Sequence, residues 1–308
     1  MDQKVNKLVL GTVQLGMKYG LNNKHGQATL EESFLILDTA LASGIDIFDT
    51  AYAYGTAEDV LGEWIQKRSL AGKVRIISKM KPHSLNEYLD GTKAADVVRM
   101  ELEKSLKRLH IDTLDGYLFH SPHYIYLKHM IVGMQKAKNA GLVKNIGVSV
   151  YDEAEALQAA ELGIDYVQVP YNVFDERLDA TNFFNIAKKN QVTVFARSPF
   201  LQGLLLMQPE SLPKHLVYLK LYLQKFIEII ERYKLSPLEA SLFFVEKKCR
   251  ADYIVFGVDT QKQLKEDVDI VYKKNSEINV DWIEEMEGEF KNINKGAINP
   301  SLWSKIKF

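Results

Sequence analysis

Short apolar runs alternate with longer amphipathic segments along almost the whole chain. The longer segments, such as residues 29–43 and 93–109, carry apolar residues at helical spacing and are predicted helices. The short runs are bounded by glycine or polar residues, which indicates strands. The predicted strands span residues 7–10, 45–49, 74–79, 115–119, 143–149, 165–169, 193–197 and 252–256. The remaining predicted helices span residues 57–67, 126–139, 153–161, 180–190, 216–233, 237–248 and 261–272.

The predicted strands are apolar on both faces, which is typical of parallel strands covered by helices. Eight such units over about 250 residues predict an α/β fold, a closed (β/α)8 TIM barrel, with an open doubly wound sheet as the alternative. No Pro/Gly/Ser-rich linker or low-complexity stretch divides the chain. We therefore expect residues 1–308 to form a single domain, with a loop at about 201–214 over the barrel mouth and a tail at 280–308.

The charge balance and the cysteine content narrow the possible partners and compartments. Of 308 residues, 39 are Lys or Arg and 40 are Asp or Glu, so the net charge is −1 and binding to nucleic acid or an anionic membrane is not expected. The single cysteine, Cys249, excludes an intramolecular disulfide and fits a reducing compartment. Residues 1–7 are polar and the run at 8–10 is too short for a signal peptide. No apolar run nears the roughly 20 residues of a membrane span, so we expect a cytoplasmic protein.

Three predicted strands end in residues that can carry chemistry. Asp49, Lys79 and His120 stand at the ends of the second, third and fourth strands, and Tyr52 and Tyr54 follow Asp49. Parallel strands present their carboxyl ends on one face of a barrel, where barrel active sites lie. Neighbouring strands are about 4.8 Å apart, so we expect these side chains to touch.

Together these residues can polarise a carbonyl group and protonate its oxygen. The ordinary pKa of tyrosine is about 10, and a nearby ammonium such as Lys79 is expected to lower it. Asp49 can hold Lys79, and His120 can orient the carbonyl oxygen or help to relay a proton. No serine or cysteine is placed as a nucleophile, and the sequence lacks a P-loop and the HxH and CxxC spacings of common metal sites. A hydride from a bound cofactor is the remaining nucleophile.

Several segments of the chain resemble the aldo-keto reductase superfamily. FDTAYAYG, ISKM, YLFHSP, KNIGVSV, QVPYN and ARSPFLQGLL occur in the order of that family over nearly the whole chain. The resemblance implies a (β/α)8 barrel and NADPH- or NADH-dependent reduction of an aldehyde or ketone. It also implies a catalytic tetrad, with Tyr54 rather than Tyr52 as the acid. The tetrad residues are Asp49, Tyr54, Lys79 and His120.

The resemblance also implies where a nicotinamide cofactor binds. Ser149 and Gln168 match the pair that holds the nicotinamide carboxamide, and Arg197 stands where many members place an aromatic ring against the nicotinamide, a contact that a planar guanidinium can also make. Gln263 stands where NADPH-preferring members often carry an arginine for the 2′-phosphate. NADPH is expected only from the usual preference of the family, and NADH is the alternative. The further cofactor-binding residues are Gly11 and Thr12 after the first strand, Ser198, Leu201 and Gly203 near the pyrophosphate, and Gly257, Thr260, Gln261, Leu264 and Asp267 with Gln263 at the adenosine end.

The residues leave two other functions open. A cofactor-binding regulatory subunit would keep the barrel with little turnover, and a barrel isomerase or epimerase would use Tyr54 and His120 without net redox change. The expected partner is a small-molecule carbonyl substrate, with no oligomeric state implied. Trp303 in the tail is expected either to line the substrate pocket or to pack against the outside of the barrel.

Overall fold

Eight parallel strands close into a barrel in the part of the chain that the computed structural model describes, namely residues 7–84, 91–273 and 280–303. Each strand pairs with the next, and the last strand pairs with the first from Leu8 with Ile254 to Gly11 with Gly257. This closure confirms the predicted (β/α)8 barrel and excludes the open sheet. The strands are β1 (Leu8–Gly11), β2 (Ile47–Asp49), β3 (Arg75–Lys79), β4 (Leu114–Phe119), β5 (Val143–Ser149), β6 (Tyr166–Pro170), β7 (Thr193–Arg197) and β8 (Tyr253–Gly257).

Helices surround the barrel. The α-helices of the described residues are α1 (Val13–Gly16), α2 (Leu30–Ala42), α3 (Ala57–Arg68), α4 (Gly91–Leu109), α5 (Lys128–Asn139), α6 (Glu153–Glu161), α7 (Phe183–Lys189), α8 (Lys220–Arg232), α9 (Pro237–Lys248), α10 (Gln261–Lys273), α11 (Asp281–Phe290) and α12 (Lys295–Ile298). Short 3₁₀ helices lie at Pro122–Tyr126, Arg177–Ala180, Leu201–Leu206, Pro209–Ser211, Lys214–Leu219 and Pro300–Leu302. None of the described helices is long and apolar enough to cross a membrane.

Alternate side chains of the strands fill the barrel interior. One buried cluster consists of Val9, Ile47, Ile77, Leu118, Phe195 and Val255, with Tyr166 and Tyr253 packed against it. Residues two apart in a strand point to the same face, so the next interior position lies nearer the carboxyl end of each strand. These next positions are Gly11, Asp49, Lys79, His120, Gln168, Arg197 and Gly257. This apolar cluster therefore lies beneath a layer of mostly polar residues at the barrel mouth.

The opposite faces of the strands pack against the helices and form a second, larger core. Phe48 of β2, for example, meets the fully buried Trp64 of α3 edge to face, with ring centroids 5.2 Å apart. Full burial of a large apolar side chain contributes about 1.5–3 kcal/mol to stability. This core holds the strand ends, and therefore the polar layer, in place.

Two predicted helices begin differently from the sequence pattern. The predicted helix at 126–139 starts as a 3₁₀ turn at Pro122 and continues as α5 after Leu127. Proline is tolerated at the first position because its missing N–H would have no partner there. The predicted helix at 216–233 likewise opens with a 3₁₀ turn before α8.

The predicted mouth loop and tail are both ordered where they are described. The mouth loop consists mostly of 3₁₀ turns, with Gln202 and Gly203 at φ of 56° and 87°. In the tail, Trp303 is buried in the core and its indole N–H donates to the Ala297 carbonyl at 3.0 Å. Residues 1–6 of the polar start and 304–308 of the tail lie outside the described residues.

Candidate active site

Four side chains selected from the sequence meet at the barrel mouth. The Lys79 Nζ donates to Asp49 Oδ2 at 2.6 Å and to the Thr50 carbonyl at 3.0 Å. It also lies 3.4 Å from the Tyr54 hydroxyl oxygen. The His120 ring stands edge-on to the Tyr54 ring, with 5.9 Å between the ring centroids. Residues from the ends of β2, β3 and β4 therefore surround one small space.

The ion pair in this group is buried. The side chains of Lys79 and Asp49 are 1% and 4% exposed. Gln168 Nε2 donates to the second Asp49 oxygen at 2.8 Å, and Ser149 Oγ lies 3.3 Å from Gln168 Oε1. Burial lowers the pKa of Lys79, and the charge of Asp49 counteracts that effect. Asp49 therefore offsets the cost of a buried ammonium and holds it in one position.

The Tyr54 phenol is kept protonated. Burial raises the pKa of Tyr54, the charge of Asp49 raises it further, and the charge of Arg197 acts against both. This differs from the sequence-based expectation that Lys79 lowers the pKa, because desolvation of the phenol is the larger effect. At neutral pH the hydroxyl keeps the proton that an acid must donate, and the Lys79 ammonium lies where it can stabilise the phenolate.

The His120 imidazole is kept neutral. Burial lowers the pKa of His120 to about 3, and the charges of Lys79 and Arg197 act in the same direction. Its Nδ1 is buried without a hydrogen-bond partner among the described residues. A neutral imidazole with its proton on Nε2 can donate a hydrogen bond to a carbonyl oxygen. Orientation of a substrate is therefore favoured over proton relay.

Arg197 links the carboxyl ends of two strands, β7 and β5. Its Nε lies 3.3 Å from Ser149 Oγ, its Nη1 lies 3.3 Å from Ser198 Oγ, and its Nη2 donates to the Val150 carbonyl at 3.0 Å. The guanidinium carbon lies 4.8 Å from the centroid of the Tyr151 ring. No carboxylate of the described residues pairs with Arg197, so its charge acts on the tyrosine and histidine of the site.

The two candidate tyrosines lie in different places. Tyr54 lines a cavity at the barrel mouth, whereas the Tyr52 ring lies 4.1 Å from the Arg108 guanidinium carbon and 5.6 Å from Lys81 Nζ. A Cβ on Gly16 would lie 1.8 Å from the Tyr54 carbonyl oxygen. This close approach of two backbone segments helps to aim Tyr54 into the site.

A cavity of about 660 Å³ opens at this group and extends to the first turns of α10. Asp49, Tyr54 and His120 lie on its wall. Its volume is in the range of small-molecule and cofactor sites. Ten of the expected cofactor-binding residues also line it, namely Gly11, Thr12, Ser149, Gln168, Arg197, Ser198, Gly203, Gly257, Gln263 and Asp267.

Four expected cofactor-binding residues lie off the cavity wall, and one of them, Leu264, is fully buried in the core. Leu201 is buried in the core and is 1% exposed. Thr260 Oγ1 accepts a hydrogen bond from the Gln263 N–H at 3.3 Å, at the start of α10. The Gln261 N–H donates to Glu32 Oε1 at 2.9 Å, and its side-chain amide donates to a threonine of α2. Thr260 and Gln261 therefore position α10 and attach it to α2.

The cavity wall also contains residues that sequence reasoning did not select. They are Gln14, Tyr19, Asn22, Asn23, Tyr151 and Asp259, among others. Burial raises the pKa of Tyr19 to about 12, and Tyr54 adds to this effect while Arg197 opposes it. Tyr19 and the two asparagines come from a loop-like sequence between α1 and α2 that has no hydrophobic period. Tyr151 is the second residue after the end of β5, and this position close to a strand end is the feature of the sequence that could have indicated it.

The chemistry of the wall fits an anionic dinucleotide. Gln14 Oε1 is buried and has no hydrogen-bond partner among the described residues, so a ligand can donate to it. Gly257 leaves that space open, because a Cβ there would lie 2.7 Å from Gln14 Oε1. The 13-residue helix α10 begins beside the cavity, and helix N-termini favour phosphate groups. No group of three or more His, Cys, Asp or Glu in the described part of the chain could hold a metal ion.

Comparison with known proteins gives one family. The sequence model of the Aldo/keto reductase family matches residues 7–287. Aldo-keto reductase YhdN of Bacillus subtilis is 26% identical over 207 residues, which cover 66% of this chain and 60% of the relative, so the match spans less than two thirds of that relative's length. Uncharacterized oxidoreductase YqkF of the same species is 25% identical over 284 residues, 87% of each chain.

Two further similarities extend this result. The NADH-specific methylglyoxal reductase of Escherichia coli is 25% identical over 269 residues, covering 76% of this chain and 82% of the relative. A crystal structure from Pseudomonas aeruginosa, provisionally assigned to the aldo-keto reductases, superimposes with a TM-score of 0.64 at 22% identity. That superposition covers 86% of this chain and 89% of the other, and it shows the same barrel fold.

Proposed function

Because the chain belongs to the aldo/keto reductase family, we propose that it reduces the carbonyl group of a small aldehyde or ketone with NADH or NADPH as the hydride donor. The observation that carries this proposal is the meeting of a phenol and a neutral imidazole at one cavity wall, with a buried ammonium 3.4 Å from the phenol oxygen. A phenol that keeps its proton and an imidazole that can donate a hydrogen bond suit the oxygen of a carbonyl group. The cavity next to them has room for a ligand larger than the substrate alone.

The proposed reaction uses each of the four side chains once. When bound, a reduced nicotinamide supplies a hydride to the carbonyl carbon. The Tyr54 hydroxyl gives its proton to the carbonyl oxygen as negative charge develops there. The Lys79 ammonium, 3.4 Å away, stabilises the phenolate that remains, and Asp49 keeps the ammonium in place. His120 donates a hydrogen bond from Nε2 to the same carbonyl oxygen, and the phenolate regains its proton from water.

Other residues of the cavity wall would hold the cofactor. We assign Ser149 and Gln168 to the nicotinamide carboxamide and Arg197 to the face of the nicotinamide ring. Ser198 and Gly203 are assigned to the pyrophosphate, and the start of α10 is assigned to the adenosine end. The similarity to a protein named as an NADH-specific methylglyoxal reductase supports both a nicotinamide nucleotide and a small carbonyl substrate.

A direct spectrophotometric assay, combined with product analysis, tests the proposal. The protein is incubated with NADH or NADPH and a panel of aldehydes and ketones, and the loss of absorbance of the reduced nucleotide is recorded together with the alcohol formed. We expect one alcohol for each nucleotide oxidised. A binding titration by fluorescence in the same samples separates weak turnover from a failure to bind.

Two outcomes would contradict the proposal in different ways. Tight nucleotide binding with no turnover over the whole panel would indicate a regulatory subunit. Product formation without consumption of nucleotide would indicate an isomerase or epimerase.

We also propose a cytoplasmic location. The single cysteine, Cys249, is buried and free, and burial raises the pKa of its thiol to about 12, so it is a structural residue. Cell fractionation tests this proposal, and recovery of the native protein outside the cell would contradict it.

A further inference from the structure

The cavity has a second end, away from Tyr54, where β8 leads into α10. A dinucleotide whose nicotinamide reaches Tyr54 must place its other nucleoside at this end of the cavity. The charged wall residues here are Asp259, Glu266 and Asp267. Among the described residues that line the cavity, Arg197 is the only lysine or arginine. It lies at the Tyr54 end of the cavity.

Asp259 is held in a fixed position at this second end. Asn23 Nδ2 donates to Asp259 Oδ1 at 3.0 Å, and the Asp259 N–H donates to Gln263 Oε1 at 2.7 Å. Asn23 is itself buried, and its Oδ1 accepts hydrogen bonds from the backbone N–H groups of His25 and Gly26. The carboxylate is therefore an ordered acceptor on the wall and not a mobile surface charge.

The surroundings of Asp259 are negative. Glu266 lies on the same wall and carries the neighbouring negative charge. Asp267 is buried, and burial together with the charge of Glu266 raises the pKa of its carboxyl well above the ordinary value, so the neutral form of Asp267 is favoured. Lys262 does not compensate, because its side chain is 86% exposed and its ammonium lies 3.7 Å from Glu266, off the cavity wall. Burial raises the pKa of Asp259, and the charge of His25 opposes that effect; His25 is exposed and also off the wall.

We propose that this end of the cavity selects NADH over NADPH, and that Asp259 binds the 2′-hydroxyl of the adenosine ribose. This inference rests on the proposed function. A carboxylate is an acceptor, so it can take a hydrogen bond from a free 2′-hydroxyl. A 2′-phosphate has no proton to donate in its dianionic form and is repelled by the negative charges of Asp259 and Glu266 on the wall. Family habit favours NADPH, but Gln263 is neutral and is occupied by the Asp259 backbone, so it offers no charge for that phosphate.

Direct binding measures this selection without turnover. Wild-type protein is titrated with NADH and with NADPH at low and at physiological salt, and quenching of tryptophan fluorescence is recorded. Both nucleotides share the pyrophosphate, so the ratio of the two Kd values isolates the 2′-phosphate. We expect NADH to bind at least about tenfold more tightly, with a ratio that shrinks as salt rises.

A pair of variants assigns the effect to one residue. Asp259→Asn keeps the shape and should bring the two Kd values closer, by weakening NADH and strengthening NADPH. Asp112→Asn, at an exposed position in the turn before β4 on the opposite end of the barrel, is the matched control and should leave the ratio unchanged.

The possible results separate this inference from the proposed function. Equal or tighter binding of NADPH by the wild type would overturn the selection and leave the reductase proposal intact. An unchanged ratio in folded Asp259→Asn would overturn the role of that residue. Failure of the wild type to bind either nucleotide would overturn the proposed function itself, and the selection with it.

Discussion

Replacing Asp49 by Asn removes the counter-ion of Lys79 while almost preserving its shape. In the wild type the Lys79 ammonium lies 2.6 Å from Asp49 Oδ2, and its side chain is 1% exposed. In Asp49→Asn the ammonium would keep only neutral partners, the Thr50 carbonyl and the Tyr54 hydroxyl. Removing one partner of a buried ion pair costs about 3–5 kcal/mol, because the other charge is left uncompensated. We expect the free energy of unfolding to fall by that amount at pH 7.

The loss should shrink as the pH rises. Burial already lowers the pKa of Lys79 in the folded protein, and removal of Asp49 lowers it further. The unfolded chain keeps the ordinary lysine pKa of about 10.4. A lysine whose pKa is lower in the folded protein than in the unfolded chain destabilises the fold at pH values where it is charged in both states. This cost decreases as the pH rises from the folded pKa to the unfolded pKa. The difference between Asp49→Asn and wild type should therefore fall to about 1 kcal/mol at pH 10.

Urea unfolding of both proteins at pH 7 and pH 10, followed by tryptophan fluorescence, gives these differences. The double variant Asp49→Asn/Lys79→Met removes both charges and should recover much of the lost stability, because apolar replacement of a buried pair is often neutral. Asp112→Asn is the control for an exposed carboxylate and should change stability by less than about 0.5 kcal/mol. A loss below about 1 kcal/mol at pH 7, or a loss that stays constant up to pH 10, would refute the buried-charge explanation.

Two further results are expected. Arg108→Ala should lower the free energy of unfolding by about 1–3 kcal/mol, because the fully buried Glu58 carboxylate loses the guanidinium 3.2 Å away; urea unfolding measures it, and an unchanged midpoint would contradict it. The pH profile of kcat should show no inflection from His120 between pH 5 and 8, because burial lowers its pKa to about 3. An inflection in that range that disappears in His120→Asn would show that the imidazole titrates during turnover.

The strands and their ends were accessible to sequence reasoning for a simple physical reason. A buried parallel strand needs a short apolar run, and the predicted ranges 143–149 and 193–197 coincide with β5 and β7. A polar or charged side chain at the carboxyl end of such a strand lies at the barrel mouth, because the rest of the strand is enclosed by apolar side chains. For this reason Asp49, Lys79 and His120 could be selected before their contacts were known.

The rest of the site depends on packing that local sequence does not encode. Tyr19 reaches the cavity from a loop without hydrophobic period, and Asp259 becomes a fixed acceptor only because Asn23, more than 200 residues earlier, donates to it. The balance of burial and charge at Tyr54 could not be read from strand ends either. Its pKa rises where the sequence suggested a fall, because burial depends on the closed barrel and not on the neighbouring residue types.

Tyr54→Phe tests the central claim most directly, since it removes one hydroxyl oxygen and leaves the ring beside His120 in place. The measurement is the rate of reduced-nucleotide oxidation with the best carbonyl substrate, together with the nucleotide Kd from fluorescence. Tyr52→Phe is the matched control, because the Tyr52 ring lies off the cavity wall against Arg108. We predict that Tyr54→Phe lowers kcat by about 10²–10⁴-fold with an unchanged Kd, while Tyr52→Phe keeps turnover. Wild-type turnover in Tyr54→Phe would contradict the assignment of Tyr54 as the acid.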